Sequence, residues 1–294
     1  MTRWLALAVA TAVCVPIVSA QAPTKVVYVS ALGEDGAPAK DLTAADFTVK
    51  ENGKVREIVK VEPAPWPIQI ALVVDDNGSG IFRAGLGAFV QALQGRAEFS
   101  VRSVTGQTLK LLDYTSDMTK VNDAIAKLNA RAATNDGGQL LEGINDAARE
   151  LEQREAKRSA ILVFTVGGDE QSTRDSKQVL AQLQKSGAAL TVLEFAASAI
   201  RQTSSAQTPA DLMDNQMNLG EVTGDGTKQS GGRLLRLVAT AGFPQGLQQI
   251  LNDIVGQYAV TYALPASEKP SGKMEVQMKR KGVKIMAPTK VPQR

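Results

Sequence analysis

Asp75, Asn77 and Ser79 stand at i, i+2 and i+4 directly after the apolar run Ile68 to Val74, in Val74-Asp75-Asp76-Asn77-Gly78-Ser79-Gly80. Oxygen-bearing side chains at that spacing in a tight turn can converge on one point. Hard divalent cations need oxygen ligands, and Mg²⁺ typically takes one or two carboxylates with waters completing its shell. The competing reading of Asp75 is a cap for the helix that follows, since Asp is favoured at helix starts. Asp75 and Asp76 point in different directions as neighbours, so ligand and cap chemistry is expected of them rather than an acid–base pair. Asp136 and Asp169 fall in other loops and are carried forward with Asp76 as candidates for contact with a partner.

Most other chemistry is excluded by what the 294 residues lack. There is no histidine, hence no Ser-His-Asp triad, no H-E-x-x-H zinc site and no imidazole proton shuttle. Gly78, Gly80 and Gly85 miss the dinucleotide fingerprint, because Arg83 stands where its third glycine belongs. No phosphate loop and no Ser-x-x-Lys are present. A formal net charge of +3 is too small to indicate nucleic acid as partner, and 4% aromatic residues supply no base-stacking platform. No catalytic residue is therefore expected.

The elements that must position these residues follow from periodicity. Ile68 to Val74 reads as a strand covered on both faces of a parallel sheet. Phe82, Leu86, Phe89, Val90 and Leu93 recur at helical spacing, as do Leu140, Leu141, Ile144, Ala148 and Leu151. Ala160 to Phe164 and Leu190 to Phe195 are further strands, with a helix between them that Gly187 ends. Ala197 to Gly232 is polar and reads as a long loop; Leu247, Ile250, Leu251 and Ile254 mark a last helix. Strands alternating with helices indicate a doubly wound, mostly parallel α/β sheet. The flanks are β: Val26 to Val29, a hairpin around Asn52-Gly53, and three alternating runs after Tyr258. The expected organisation is an N-terminal β segment 23–62, a proline-rich linker 63–67, the α/β domain 68–256, and a C-terminal β segment 257–294 that pairs with 23–62.

Residues 1–22 read as an export signal. Met1-Thr2-Arg3 is followed by an apolar run to Val18, and Val18-Ser19-Ala20 offers small residues for cleavage. About 15 apolar residues are short of the roughly 20 needed to span a bilayer. An exported protein, periplasmic or secreted and without stable membrane insertion after cleavage, is expected. Cleavage would also remove Cys14, the one cysteine, leaving no disulfide and no thiolate ligand.

The loop at Asp75 resembles the metal-binding Asp-x-Ser-x-Ser loop of von Willebrand factor type A domains. Asn135-Asp136-Gly137-Gly138-Gln139-Leu140 resembles that family's Gly-Gly-Thr loop, and Ile161 to Gly167 its strand ending in Thr-Asp-Gly. The flanks resemble a bacterial exported subgroup often called VWFA-related, through Leu42-x3-Asp46-Phe47-x-Val49, Glu51-Asn52-Gly53, Gly231-Gly232 and Gln257-Tyr258. The resemblance implies metal ligands at Asp75, Asn77, Ser79 and Gln139, but this chain departs from the pattern. The first serine is Asn77, the threonine is Gln139, and the second aspartate is Val166. Losing one of two carboxylates should weaken divalent-ion binding substantially, so no cofactor is expected beyond weak Mg²⁺ or Ca²⁺. The implied function is protein–protein recognition, adhesion-like and non-enzymatic, through loops at the carboxyl end of the sheet. The rival is small-molecule or metal-dependent ligand binding in the same crevice.

Overall fold

The computed structural model describes residues 23–129, 138–195, 208–265 and 272–293. The proposed export signal and Asp136 lie outside these residues. In chain order the elements are β1 (Thr24–Gly33), β2 (Phe47–Glu51), β3 (Lys54–Arg56), β4 (Ile58–Pro63), β5 (Ile68–Asp75), α1 (Arg83–Ala92), β6 (Ala97–Thr105), β7 (Gln107–Thr115), α2 (Met118–Ala126) and α3 (Leu140–Gln153). They continue as β8 (Ser159–Thr165), α4 (Ser176–Ser186), β9 (Ala189–Phe195), α5 (Pro209–Glu221), α6 (Thr227–Ser230), β10 (Leu234–Leu237), α7 (Phe243–Val255), β11 (Gln257–Ala263), β12 (Met274–Met278) and β13 (Val283–Met286).

The continuous apolar character of β5 has a direct cause. Ile68, Ile70, Leu72 and Val74 enter one hydrophobic core with α1, α2 and α7, whereas Ala71 and Val73 enter a second with α3 and α4. The strand is therefore covered on both faces, and alternation with polar residues is impossible. The sheet order is β10-β9-β8-β5-β6-β7, parallel throughout except for the antiparallel β6–β7 pair. This is the doubly wound α/β sheet that the periodicity predicts. The chain leaves β5 toward β6 and later returns on its other side at β8, so a topological switch lies between β5 and β8. Ligand crevices in open α/β sheets form beyond the carboxyl ends of such strands.

The flanking strands build two small sheets around a third core. β1, β11, β4 and β13 form one in the order β13-β1-β11-β4, and β12, β2 and β3 form the other. Val27, Val29, Phe47, Val49, Val260 and Tyr262 meet between them. β1 pairs antiparallel with β11, Val27 opposite Val260, so N- and C-terminal segments share one sheet. The hairpin is confirmed at Asn52-Gly53, both with positive φ (49° and 79°). The run Val55 to Val59, however, divides at Glu57: β3 stays with β2, while β4 crosses to pair with β11.

The polar segment before Gly232 differs from the long loop its composition suggests. Residues 197–207 lie outside the described residues, and from Pro209 the chain is helical through α5, a π-helical turn Val222–Gly226 and α6. Thr208 starts α5 as its cap, its hydroxyl accepting from the Asp211 N–H at 3.2 Å, with Pro209 in the first turn. No residue of α5 is buried. The helix therefore carries no apolar stripe from which periodicity could reveal it.

α7 docks on β1 through buried polar groups. Arg233 Nη2 donates to Asp253 Oδ1 at 2.7 Å, and the Ser30 hydroxyl donates to the Asp253 carbonyl at 2.9 Å. Burial pushes the Asp253 carboxyl up to about 7, against the opposing pull of Arg233. Between roughly pH 4 and 7 the unfolded chain has released this proton while the folded chain retains it. Folding then binds a proton, and the group's contribution to stability falls as pH rises. Asp253→Asn removes the titration. The denaturation midpoint of the variant relative to wild type is expected to rise between pH 4 and pH 8; a difference independent of pH would contradict the assignment.

Candidate functional site

The switch point is where the sequence-derived candidates meet. Asp75 ends β5 in register with Thr165 at the end of β8. The loop from Asp75 to Gly80 is turned by three residues of positive φ, Asn77 (49°), Gly78 (73°) and Gly80 (68°). Its far end is anchored by fully buried Phe82, whose ring lies 5.3 Å from those of Phe195 and Phe243 and 5.9 Å from that of Phe164. An aromatic cluster therefore floors the crevice and fixes where the loop leaves it.

Neither acid caps α1, whose N-cap position is Phe82 with no side-chain cap bond; Asp76 instead holds the turn. Asp76 Oδ1 accepts from the Gly78 N–H at 3.0 Å and Oδ2 from the Gly80 N–H at 2.8 Å, with the residue fully buried. Burial still raises its pKa, and the two N–H bonds oppose the rise. Asp76 thus holds the turn rigid rather than facing a partner.

Asp75 turns instead toward β8. Its Oδ2 accepts from the Thr165 hydroxyl at 2.8 Å, and Thr165 Oγ1 in turn accepts from the Gly167 N–H at 2.9 Å. A Cβ placed on Gly138 would lie 3.5 Å from Asp75 Oδ1, so the carboxyl is walled by the segment that opens α3. Gly138 itself is clasped by the loop after β8: its N–H donates to the Asp169 carbonyl at 2.9 Å, and its carbonyl accepts from the Gln171 N–H at 2.8 Å.

Glu170 completes the site and was not among the sequence-derived candidates. It is 2% exposed; its Oε2 accepts from the Leu140 N–H at 3.1 Å, and its Oε1 from the Ser172 N–H at 2.9 Å. An acid at the start of α3 suits the positive end of that helix. Because the cap comes 30 residues later in the chain, no local capping motif reveals it. Burial pushes Glu170 up to about 7, opposed by its bonds from Ser172 and Leu140. Burial likewise pushes Asp75 up to about 7; Thr165 opposes, while Glu170 and Asp76 add to the rise.

The remaining candidates fall as follows. Asn77 and Gln139 stand on facing loops, and their side chains make no hydrogen bond among the described residues. Ser79 is exposed, its hydroxyl accepting from the Ile81 N–H at 3.4 Å. Asp169 is 8% exposed, with Oδ2 unpartnered among the described residues. Val166 is fully buried in the core beneath the crevice, so no donor can come from that position. Of the carboxyls here, Asp75 is engaged through Oδ2 by Thr165, Asp76 and Glu170 have both oxygens committed to backbone N–H groups, and Asp169 Oδ2 is unpartnered among the described residues. Among the described residues no three acidic side chains gather at metal-binding distance.

No protein-family model and no curated protein matches the sequence. Similar solved structures exist, each at low identity. Proximal thread matrix protein 1 from the mussel byssus is 9% identical, with 68% of this chain and 49% of that one covered at a TM-score of 0.47. This chain thus spans about half of that protein's length. A von Willebrand factor type A protein from Catenulispora acidiphila is 10% identical over 93% of this chain and 74% of its own, with a TM-score of 0.45. The conserved hypothetical protein BatB from Bacteroides thetaiotaomicron is 15% identical over 63% and 97%, with a TM-score of 0.41. The sheet order and register above, rather than these scores, define the fold, and it is the doubly wound sheet that the type A resemblance implies.

Proposed function

We propose that this chain is an exported, non-enzymatic recognition module of the type A kind, which binds a protein partner through the loops at the carboxyl end of the six-stranded sheet with little or no dependence on metal. One observation carries the reading: the Asp75 carboxyl, which a metal-dependent site would direct at a cation, is hydrogen-bonded to Thr165 and walled by Gly138, above the apolar side chain of Val166. The loops themselves are held by Asp76, Glu170 and the Gly138 backbone pair, and rigid loops on a sheet scaffold suit recognition, since little entropy is lost on binding. Asp75, Asp76 and Glu170 are tied into the fold, and the chain has no histidine to act as base beside them.

Site-specific photo-crosslinking in the native host tests this surface. Exposed Ser79 and Thr173 flank the crevice, and exposed Lys120 on α2 serves as control. A discrete adduct is expected from positions 79 and 173, of equal yield with and without a chelator, and none from position 120. Equal labelling at all three positions, or loss of the adduct on chelation, would overturn the proposal.

A further inference from the structure

A second site lies away from the crevice, where α7 faces the edge of the small four-stranded sheet. A cleft of about 480 Å³ opens there between α7 and the faces of β1 and β13. That volume falls within the range of ligand-binding clefts. Gln245, Gln248, Gln249 and Asn252 line one wall. Their spacing, i, i+3, i+4 and i+7, makes one helix face entirely of carboxamides. The opposite face of α7 carries Leu247, Ile250 and Ile254 into the core, so the amide row is not core-forming. Gln248 Nε2 donates to Asn252 Oδ1 at 2.8 Å, and Asn252 Nδ2 donates to the Gly36 carbonyl at 3.0 Å, which fixes the row against the turn after β1. The Gln245 and Gln249 amides are without partners among the described residues.

The other wall is the face of the sheet at its outermost strand. β13 is the outermost strand of its sheet and pairs only with β1 among the described residues. Lys284 and Met286 of β13 lie opposite Leu32 and Ser30 of β1, and all four line the cleft. Arg233 closes the inner end, its Nε directed at the Met286 sulfur at 3.1 Å and its Nη2 at Asp253. The cleft is thus lined by the carboxamides of α7 and lies beside the edge strand β13, whose side away from β1 has no strand partner among the described residues.

We propose that this cleft is a slot for an extended polypeptide segment of a partner protein, which adds to the open edge of β13 and directs alternate side chains toward the carboxamides of α7. The chemistry selects this ligand class. A strand added to a sheet edge gains main-chain hydrogen bonds from the edge and specificity from the recess that receives every second side chain. Carboxamides present the same donor and acceptor pair as a peptide group, and so suit backbone or polar side chains such as Thr, Ser, Asn and Gln. Dimensions agree: seven residues of α7 rise about 10 Å, the length of about three strand residues, and β13 itself has 4 residues. No aromatic residue lines the slot, which disfavours a stacked sugar ring. This site is independent of the crevice at Asp75, so either can fail without the other.

The test is an amide NMR titration of the full mature chain with a capped hexapeptide of alternating Thr and Gln, up to millimolar concentration. Expected are shifts of the β13 backbone amides and of the Gln245 and Gln249 side-chain amides, with resonances around Asp75 unmoved. The doubly substituted Gln245→Ala/Gln249→Ala chain should bind at least fivefold more weakly while keeping its native spectrum. A peptide N-methylated along one edge, which keeps its side chains but cannot pair, should not bind. The proposal is overturned by absence of shifts at β13, by equal binding of the N-methylated peptide, or by chitobiose moving these signals where the peptide does not.

Discussion

Replacing Arg158 by alanine is expected to destabilise the protein by about 3–5 kcal/mol, because each buried acceptor left unpaired costs about 1–3 kcal/mol. Arg158 opens the segment that leads into β8 and is only 4% exposed. Its Nε donates to Gln257 Oε1 at 3.0 Å, Nη1 to the Pro65 carbonyl at 2.9 Å, and Nη2 to the Ile254 carbonyl at 2.6 Å. The guanidinium lies 4.4 Å from the centre of the Trp66 ring. One side chain therefore ties the proline-rich crossing from β4 to β5, the end of α7 and the start of β11 to the six-stranded sheet. A lysine cannot replace it, since a single ammonium does not span acceptors arranged for a planar fork. Urea denaturation of Arg158→Ala and Arg158→Lys should show losses of similar size. A loss below about 1 kcal/mol for the alanine variant, within the scatter of an ordinary surface substitution, would refute the role assigned to this residue.

Gly232→Ala is the second large effect. A Cβ at position 232 would lie 1.9 Å from the Leu190 carbonyl oxygen, 2.5 Å from its carbon and 2.9 Å from Thr191 Oγ1. Leu190 belongs to β9 and is fully buried, and the neighbouring Val192 N–H is bonded to the Arg233 carbonyl at 2.8 Å. Backbone held by a ladder cannot retreat as a flexible side chain would, so the cost is expected to reach about 3 kcal/mol, the upper part of the usual overpacking range. Gly87→Ala supplies the contrast. That glycine is inside α1 with nothing within 4 Å of a built Cβ, and the change should stabilise by about 0.5–1 kcal/mol. Thermal denaturation of both variants checks the pair: a neutral Gly232→Ala would mean that β9 and the segment after α6 are not as closely packed as described.

The elements that bury apolar side chains were the ones readable from the chain. β5 and β8 announce themselves as uninterrupted apolar runs because alternate residues feed two different cores. α3 and α7 show helical stripes because each lies on the sheet by one face. α5 does not, since none of its residues is buried, and only the Thr208-Pro209 start marks it. The division between β3 and β4 was hidden for a related reason: Val55 and Val59 alternate as in one strand, and only the pairing partner of each segment separates them.

The candidate site was legible in position but not in connection. Asp75, Asn77 and Ser79 lie at the switch point that the strand pattern implies, and Gln139 faces them at the start of α3. Sequence could not show that Asp76 rather than Asp75 bonds the turn amides of Gly78 and Gly80, because adjacent carboxylates are equivalent until the turn is built. Nor could it show that Glu170 reaches back 30 residues to Leu140, since loops brought together by the sheet leave no spacing signature. The same limit hid Arg158, whose acceptors come from three distant segments.

Calorimetric titration of the protein with Mg²⁺ and Ca²⁺, for wild type and Asp75→Ala, tests the metal-independent reading of the crevice most directly. Weak extracellular Ca²⁺ sites bind at about 10⁻⁴–10⁻³ M. The account predicts no binding tighter than that range and no difference between the two proteins. A micromolar site present in wild type and absent from Asp75→Ala would contradict it.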